Sequence, residues 1–228
     1  MKNAAALDRS DTVQNVLKEL RGDIILYRYR NGEQVKEVEL CRKYGCSRTA
    51  VRNAFIILEK EGLIVARENG TKEVACLSSR DIDNIYDLRH HIEITSIKQF
   101  FAEKGADMSP VFEAINLIRA LPDDASVGEI LRLDTNFHAA IVHLSKNKAL
   151  FQTWSNICMV MEELFTMNMS ESNDYENWFV KTFAERHIDI MSKILLSEQS
   201  VIDLLTSHIE DARETSKKAL KKLTEKGV

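Results

Sequence analysis

The feature that most constrains the fold is the segment 47–62, which predicts a short helix with two different faces. At about 100° per residue, one face collects apolar side chains: Ala50, Val51, Ala54, Phe55, Ile57 and Leu58. The opposite face collects polar ones: Arg48, Thr49, Arg52, Asn53 and Lys60. Ser47 is a favourable N-cap, and Gly62 is a favourable residue at the C-terminal end of a helix.

The polar face of this helix has the composition of a DNA-contacting surface. Arginine side chains contact guanine edges or phosphates, and asparagine pairs with adenine in the major groove. The alternative is an ordinary amphipathic surface helix, because two arginines one turn apart are common. The segment alone does not separate the two interpretations.

The neighbouring sequence favours a winged helix-turn-helix. Residues 12–29 and 36–44 predict two further helices, and Gly45 marks the tight turn before Ser47. Downstream, the β-prone runs 63–67 and 73–77 flank Asn69-Gly70, which predicts a hairpin. We expect this hairpin to be a wing, with Gly70 and Lys72 at its tip close to the phosphate backbone.

Composition and charge are consistent with a small DNA-binding domain on an acidic body. The net charge of the chain is −4, but residues 1–75 carry +3 and residues 76–228 carry −7. Phosphate attraction needs a local basic surface and not a basic whole. No apolar run is long enough to span a membrane. The four scattered cysteines lack metal or redox spacing, and we expect reduced thiols in a cytoplasmic, bacterial protein.

The second half of the chain predicts an all-α bundle. We expect one domain over residues 1–77 and a second, all-helical domain over residues 78–228. The sequence indicates six helices in the latter, near residues 79–104, 109–121, 126–145, 148–169, 175–196 and 200–222.

A set of histidines in this bundle suggests a metal site. Asp134 and His138 stand four residues apart, so they share one helical face. His187 and His208 lie at similar distances from the turn near residues 197–200, so an antiparallel hairpin would place them level with each other. Three imidazoles and one carboxylate suit a borderline divalent metal such as zinc, nickel or manganese. The alternative is that each histidine is an ordinary hydrogen-bonded residue.

The segments Ser47–Ala54 and Leu58–Leu63 resemble the signature of the GntR family of bacterial transcription regulators. The resemblance implies that Arg48, Thr49, Arg52 and Gly70 contact operator DNA.

The rest of the chain is similar to the FCD effector domain found in the FadR-type branch of that family, and its small size with six helices suggests the VanR-like subgroup. The resemblance is carried by the spacing of the Asp134 and histidine set, by Tyr86-Asp87-Leu88-Arg89 with Glu93, and by Ser145-Lys146-Asn147. It implies that Asp134, His138, His187 and His208 bind a metal ion that helps to hold a carboxylate metabolite. Arg89 is a candidate for a direct contact with that effector, and an ion pair with Glu93 is the alternative.

These expectations describe a homodimeric transcription regulator that is not an enzyme. Its partners would be a palindromic operator and a small carboxylate or sugar-acid effector, with repression as the expected mode. Two alternatives remain open at this point: a metalloregulator that senses the metal itself, and a metal-dependent hydrolase fused to a DNA-binding domain.

Overall fold

A computed structural model describes residues 4–103, 107–122, 124–170 and 177–225 of the chain. It divides the protein into two compact units, one containing the described residues up to Ser78 together with those from Lys222 at the end of the last helix, and the other containing Ser79–Lys221. Within the described residues, no helix combines the length and the apolar character needed to cross a bilayer. All four cysteines are free thiols.

The first unit is a winged helix-turn-helix. Its elements are α1 (Ala4–Ile25), β1 (Gln34–Val35), α2 (Glu37–Tyr44), α3 (Arg48–Lys60), β2 (Ile64–Ala66) and β3 (Lys72–Val74). Strands β2 and β3 form the predicted antiparallel hairpin, in which Ile64 pairs with Val74. Strand β1, which the sequence analysis did not predict, adds to the other edge of β3. Two residues are too few to show an alternating pattern.

Helix α1 ends four residues before its predicted end at Tyr29. Tyr27 adopts a left-handed conformation with φ 55°, which is costly for a residue with a Cβ and stops the helix. Its hydroxyl donates a hydrogen bond to the carbonyl of Leu77 at the far end of the same unit. A long-range contact of this kind leaves no signal in the local sequence.

A buried carboxylate joins α1 to α2. Asp23 accepts hydrogen bonds from Lys43 Nζ at 2.7 Å, Tyr44 Oη at 2.9 Å and Arg28 Nη1 at 2.7 Å. Its side chain is only 5% exposed. We call these four residues the Asp23 cluster.

The second unit is all-helical, as predicted. Its helices are α4 (Ser79–Ala102), α5 (Ser109–Arg119), α6 (Val127–Leu144), α7 (Lys148–Ser170), α8 (Asn177–Leu195) and α9 (Val201–Glu225). The predicted end of α4 at Lys104 and start of α8 at Tyr175 lie outside the described residues. Ser126 and Glu129 form a capping box at the start of α6, which fixes the helix that carries Asp134 and His138.

Helices α4, α6 and α7 pack around one apolar core, which includes Ile92, Val142, Trp154 and Met161. This core holds the inward faces of the three helices in a fixed register, and the candidate site lies against it.

Candidate functional site

Helix α3 presents the two faces expected from its sequence. Ser47 caps the helix by accepting a hydrogen bond from the backbone N–H of Ala50 at 3.2 Å. The buried side chains are Ala50, Val51, Ala54, Phe55 and Leu58. Ile57, which was predicted to lie on the same apolar face, is only half-buried.

The polar face of α3 is exposed to solvent and is available to a partner. Arg48, Thr49, Arg52 and Asn53 are all exposed. Arg52 Nε donates to Glu37 Oε1 on α2 at 2.8 Å, yet its side chain remains 64% exposed. The arginine is therefore oriented by its partner without being covered.

A buried ion pair holds the C-terminal end of α3 to α1. Arg21 Nε and Nη2 donate to the two carboxylate oxygens of Glu61 at 2.8 and 2.7 Å. Arg21 is almost fully buried. Such a two-point contact fixes geometry as well as position, and the sequence analysis did not identify it.

The wing tip consists of a tight turn. Gly70 has φ 81°, and its backbone N–H donates to the carbonyl of Arg67 at 2.8 Å. Positive φ at this position suits glycine and disfavours a β-branched residue. Lys72 lies in β3 and not at the tip, and its ammonium pairs with Glu59 at 2.5 Å. Gly70 thus stands where it was predicted, and Lys72 stands beside α3.

In the second unit, the structure brings together the four residues predicted to bind metal. The potential ligand atoms of Asp134, His138, His187 and His208 all lie within 4.8 Å of one another, and we call these residues the Asp134 cluster. His187 Nε2 lies 3.1 Å from Asp134 Oδ1, and His138 Nε2 lies 3.2 Å from His208 Nε2. The rings of His187 and His208 have centroids 5.0 Å apart, so the α8–α9 hairpin places them level.

Two further groups fix the orientation of the histidine rings. His138 Nδ1 lies 2.7 Å from Glu93 Oε2, and His187 Nδ1 lies 2.7 Å from the carbonyl oxygen of Phe183. Both oxygens accept hydrogen bonds, so each Nδ1 carries the proton and each Nε2 of a neutral ring presents its lone pair to the cluster. Supporting partners of this kind are typical of metal-bound histidines.

The protonation states favour a cation at this position. Burial lowers the pKa of His138 and outweighs the opposing effect of Glu93. Burial, with His187 and His138 nearby, lowers the pKa of His208 well below its ordinary value. Burial opposes ionisation of Asp134, but His138, His187 and Arg89 together hold the pKa of Asp134 below its usual range. Three imidazoles, of which His138 and His208 favour the neutral form, therefore converge with a carboxylate anion on one point, and this is the kind of donor set that binds a divalent metal.

A cavity of about 320 Å³ adjoins the cluster. Asp134, His187 and His208 contribute to its wall, and so does Arg89. Arg89 Nε donates to Glu93 Oε1 at 2.7 Å, so the ion pair considered as the alternative for Arg89 is present. The same side chain nevertheless lines the cavity, and the two roles are compatible.

Part of the cavity wall was missed from the sequence. Trp154, Met161 and Phe165 have the helical spacing that is typical of core residues, yet all three line the cavity. Trp154 and Met161 also belong to the apolar core. Apolar periodicity does not distinguish a side chain that faces the core from one that faces a cavity, so no signal in the sequence separates these cases.

Comparisons with known proteins agree with this architecture. Residues 12–74 match "Bacterial regulatory proteins, gntR family", and residues 84–213 match the FCD domain. A solved structure from Rhodococcus sp. RHA1, described as a GntR transcriptional regulator, has 23% identity and a TM-score of 0.64, and covers 90% of this chain and 96% of that one. It shows that the fold is shared.

Among curated relatives, the Nta operon transcriptional regulator of Aminobacter aminovorans is 30% identical over 58% of this chain and 63% of its own length. The gluconate operon transcriptional repressor of Bacillus licheniformis is 26% identical over 83% of this chain and 82% of its own length. The chain spans 55% and 63% of the lengths of two of the curated relatives it matches. The matched families and relatives are regulators and not enzymes, which confirms the prediction that the chain is not an enzyme. The chain belongs to the gntR family of bacterial regulatory proteins and carries an FCD domain.

Proposed function

We propose that the protein is a sequence-specific transcriptional repressor whose affinity for its operator is controlled by a small carboxylate bound at a divalent-metal site. It acts in the bacterial cytoplasm as a homodimer, and two-fold symmetry makes its operator palindromic. The observation that carries this proposal is the convergence of three imidazoles and one carboxylate within 4.8 Å in the unit that follows a winged helix. Similarity to the gluconate operon repressor and the Nta operon regulator supports control of an operon.

The first unit supplies the DNA contacts in this proposal. Arg48 and Thr49 lie in the first turn of α3 and Arg52 and Asn53 in the second, and the N-terminal residues of a recognition helix contact the bases. Their exposure, and the absence of packing roles for the two arginines, supports this assignment. Gly70 lets the wing approach the phosphate backbone closely. Lys72 contributes positive charge on the same unit and is partly neutralised by Glu59.

The second unit supplies the sensing site. Asp134, His138, His187 and His208 would ligate zinc, nickel or manganese, and an octahedral ion would keep positions open for a carboxylate oxygen. Arg89 would contact the same carboxylate, because a guanidinium pairs with carboxylates through two parallel hydrogen bonds. Effector binding would then shift the populations of two conformational states that differ in operator affinity.

A pure metalloregulator would need only the Asp134 cluster. The adjoining cavity, with a buried arginine in its wall, favours an organic effector in addition to the metal. The four cluster residues alone do not account for that space. We therefore place metal sensing second to carboxylate sensing.

The DNA-binding part is tested with an operator selected from random double-stranded oligonucleotides. We expect Arg48→Ala and Arg52→Ala each to weaken specific binding by about 1–3 kcal/mol, the value of a lost base contact. Lys60→Ala is the matched control, because Lys60 is equally exposed on α3 but lies at its far end. Wild-type affinity in both arginine variants would overturn the recognition-helix assignment.

The sensing part is tested by metal analysis and by operator binding on the same samples. His138→Ala and His187→Ala should lose the bound zinc and the response to carboxylates while they retain operator affinity in the absence of effector. Zinc alone releasing the operator would support a metalloregulator instead. A wild-type protein that binds no zinc, nickel or manganese would leave the Asp134 cluster as a structural group and disprove the metal site.

A further inference from the structure

The cavity beside the Asp134 cluster has a wall that is mostly apolar. Its apolar side chains come from four helices and include aromatic rings as well as thioethers: Leu131, Trp154, Met161, Phe165, Met169 and Phe183. Two of the charged side chains in the lining, Arg186 and Asp211, are exposed and pair with each other at 2.9 Å. A ligand that fills this space is thus in contact chiefly with carbon and sulfur atoms.

One buried donor in the wall has no partner within the described structure. Arg89 is 4% exposed, and its Nε is used by Glu93. Its Nη2 is buried and makes no hydrogen bond among the described residues. Buried polar groups in native proteins are paired almost without exception. An acceptor on the ligand would complete the guanidinium, and a carboxylate is the group that fits it best.

One buried acceptor in the wall is also unpaired among the described residues. Asn168 Nδ2 donates to Ser216 Oγ at 3.0 Å, which leaves Asn168 Oδ1 buried and without a partner. This oxygen accepts hydrogen bonds only, so the complementary ligand group is a donor such as a hydroxyl. Tyr86 shares the Ser216 hydroxyl at 2.9 Å, so the nearby polar groups are already engaged.

From these three features we propose that the effector is a carboxylic acid with an apolar body and a single hydrogen-bond donor, and not a sugar acid. This inference rests on the proposed function and names the chemical class that its sensing site takes. A sugar acid carries a hydroxyl on nearly every carbon. Thr135, Thr182 and Thr215 offer only a few polar partners in a wall that is mostly apolar, so several of those hydroxyls would lose their hydrogen bonds to water without compensation. An apolar body instead gains contact with Trp154, Met161 and Phe165. The apolar body of the effector is either an aromatic ring or a short alkyl chain, because both present carbon atoms to this wall.

The test measures binding of defined acids to the zinc-loaded full chain by isothermal titration. The ring arm compares benzoate with 3- and 4-hydroxybenzoate, and the chain arm compares hexanoate with 6-hydroxyhexanoate. Gluconate is the polar acid, and phenol is the control without a carboxylate. We expect a hydroxylated acid from one arm to bind at least tenfold more tightly than gluconate and about tenfold more tightly than its parent without the hydroxyl. Phenol should not bind.

Two variants assign the selectivity to the wall. In Asn168→Leu, the hydroxylated acid should lose its tenfold advantage over its parent acid while zinc is retained. Phe165→Ser alters a half-buried residue. In this variant, the affinity for the hydroxylated acid and the affinity for its parent acid should each fall about tenfold, with zinc content unchanged. Circular dichroism and zinc analysis verify that each variant is folded.

The outcomes separate this inference from the proposed function. If zinc binds and gluconate is bound as tightly as the apolar acids, or none of the apolar acids binds, the inference is wrong while the metal site stands. Failure of the wild-type chain to bind metal would overturn the proposed function itself. An unchanged hydroxyl advantage in Asn168→Leu, together with unchanged affinity in Phe165→Ser, would overturn the assignment to these two residues.

Discussion

Two aspartates with little solvent exposure, Asp23 in the first unit at 5% and Asp134 in the second at 17%, have very different surroundings. Asp23 receives three hydrogen bonds, and two of its partners are cationic. Burial opposes its ionisation, but Lys43, Arg28 and Tyr44 together lower the pKa of Asp23. Each cation is also about half exposed and remains hydrated. The hydrogen bonds and the positive charges that stabilise the Asp23 carboxylate are therefore supplied by the protein itself.

Asp134 lies among polar groups that do not satisfy one another's hydrogen-bonding capacity. The lone pair of His187 Nε2 faces an acceptor, Asp134 Oδ1, and the lone pair of His138 Nε2 meets only the Nε2 of another imidazole, that of His208. His208 Nδ1 is buried without a hydrogen-bond partner in the described structure. Arg89 Nη2 and Asn168 Oδ1, in the wall of the adjoining cavity, are in the same condition. The two carboxylates therefore contrast in how far the chain itself satisfies them. A polar cluster whose partners all belong to the chain stabilises the fold, whereas we propose that the Asp134 cluster completes its interactions with a cation and a ligand.

The largest expected effect that distinguishes the two clusters is that of metal. Zinc at about 1,000 times its dissociation constant should raise the free energy of unfolding of the second unit by about 4 kcal/mol. Both tryptophans of the chain, Trp154 and Trp178, fall in this unit, so tryptophan fluorescence during denaturation reports on it selectively.

Asp134→Ala should abolish the zinc effect, and hydrogen exchange of residues 37–44 in the first unit should not change with zinc. A zinc effect that persists in Asp134→Ala, or that protects both units equally, would remove the distinction between the clusters.

The second largest effect is the loss of stability when Asp23 is removed from its cluster. Asp23→Ala removes three hydrogen bonds to a charged acceptor, and we expect a loss of about 3 kcal/mol after allowance for the exposure of both cations. Hydrogen exchange of α1 and α2 measures it. In chelator, Asp134→Ala is the matched variant and should lose less, because His187 Nε2, which lies 3.1 Å from Asp134 Oδ1, carries no proton to donate in the neutral ring. An equal loss in both variants would mean that Asp134 is as structural as Asp23.

Helical periodicity explains why so much of the fold and of the cluster was predictable. A spacing of four residues places Asp134 and His138 on one face, and a hairpin turn brings His187 level with His208, so local rules were sufficient. The exposed face of α3 follows from the same periodicity.

The parts that were missed depend on residues distant in sequence. Glu93 orients His138 from 45 positions away, and Arg52 meets Glu37 across 15. No local pattern encodes such pairs. The apolar cavity wall was missed for a different reason, because Trp154 and Phe165 have the spacing of core residues and differ only in facing an internal space.

The third effect concerns pH and requires metal-free protein. His138 and His208 have pKa values lowered by burial, so the unfolded chain binds more protons below about pH 6.5. The free energy of unfolding of the second unit should therefore fall as the pH decreases from about 7 to 5, by up to about 1.4 kcal/mol per pH unit for each histidine.

The Asp23 cluster should behave differently. The lowered pKa of Asp23 contributes stability that is fully present above pH 3.8, the ordinary pKa of an aspartate. This stability is lost only as the pH falls below that value. Denaturant titrations between pH 7.5 and 5, followed by tryptophan fluorescence and by hydrogen exchange of α2, compare the two units. A first unit that weakens as much as the second over this range would contradict the assignment.

The smallest effect tests how much the hydrogen bond from Tyr44 to Asp23 contributes to stability. Tyr44 Oη donates to Asp23 Oδ2 at 2.9 Å, and burial together with the ionised carboxylate raises the pKa of Tyr44, so the hydroxyl stays protonated as a donor. Tyr44→Phe leaves Asp23 with Lys43 and Arg28, and we expect a loss of about 1 kcal/mol in the free energy of unfolding. Tyr29→Phe is the matched control: Tyr29 Oη meets Lys43 Nζ at 3.2 Å at an exposed position, where water replaces the lost contact, and its loss should be smaller. Denaturant titration of both variants gives the comparison, and equal losses would show that the buried hydroxyl contributes nothing that solvent does not supply.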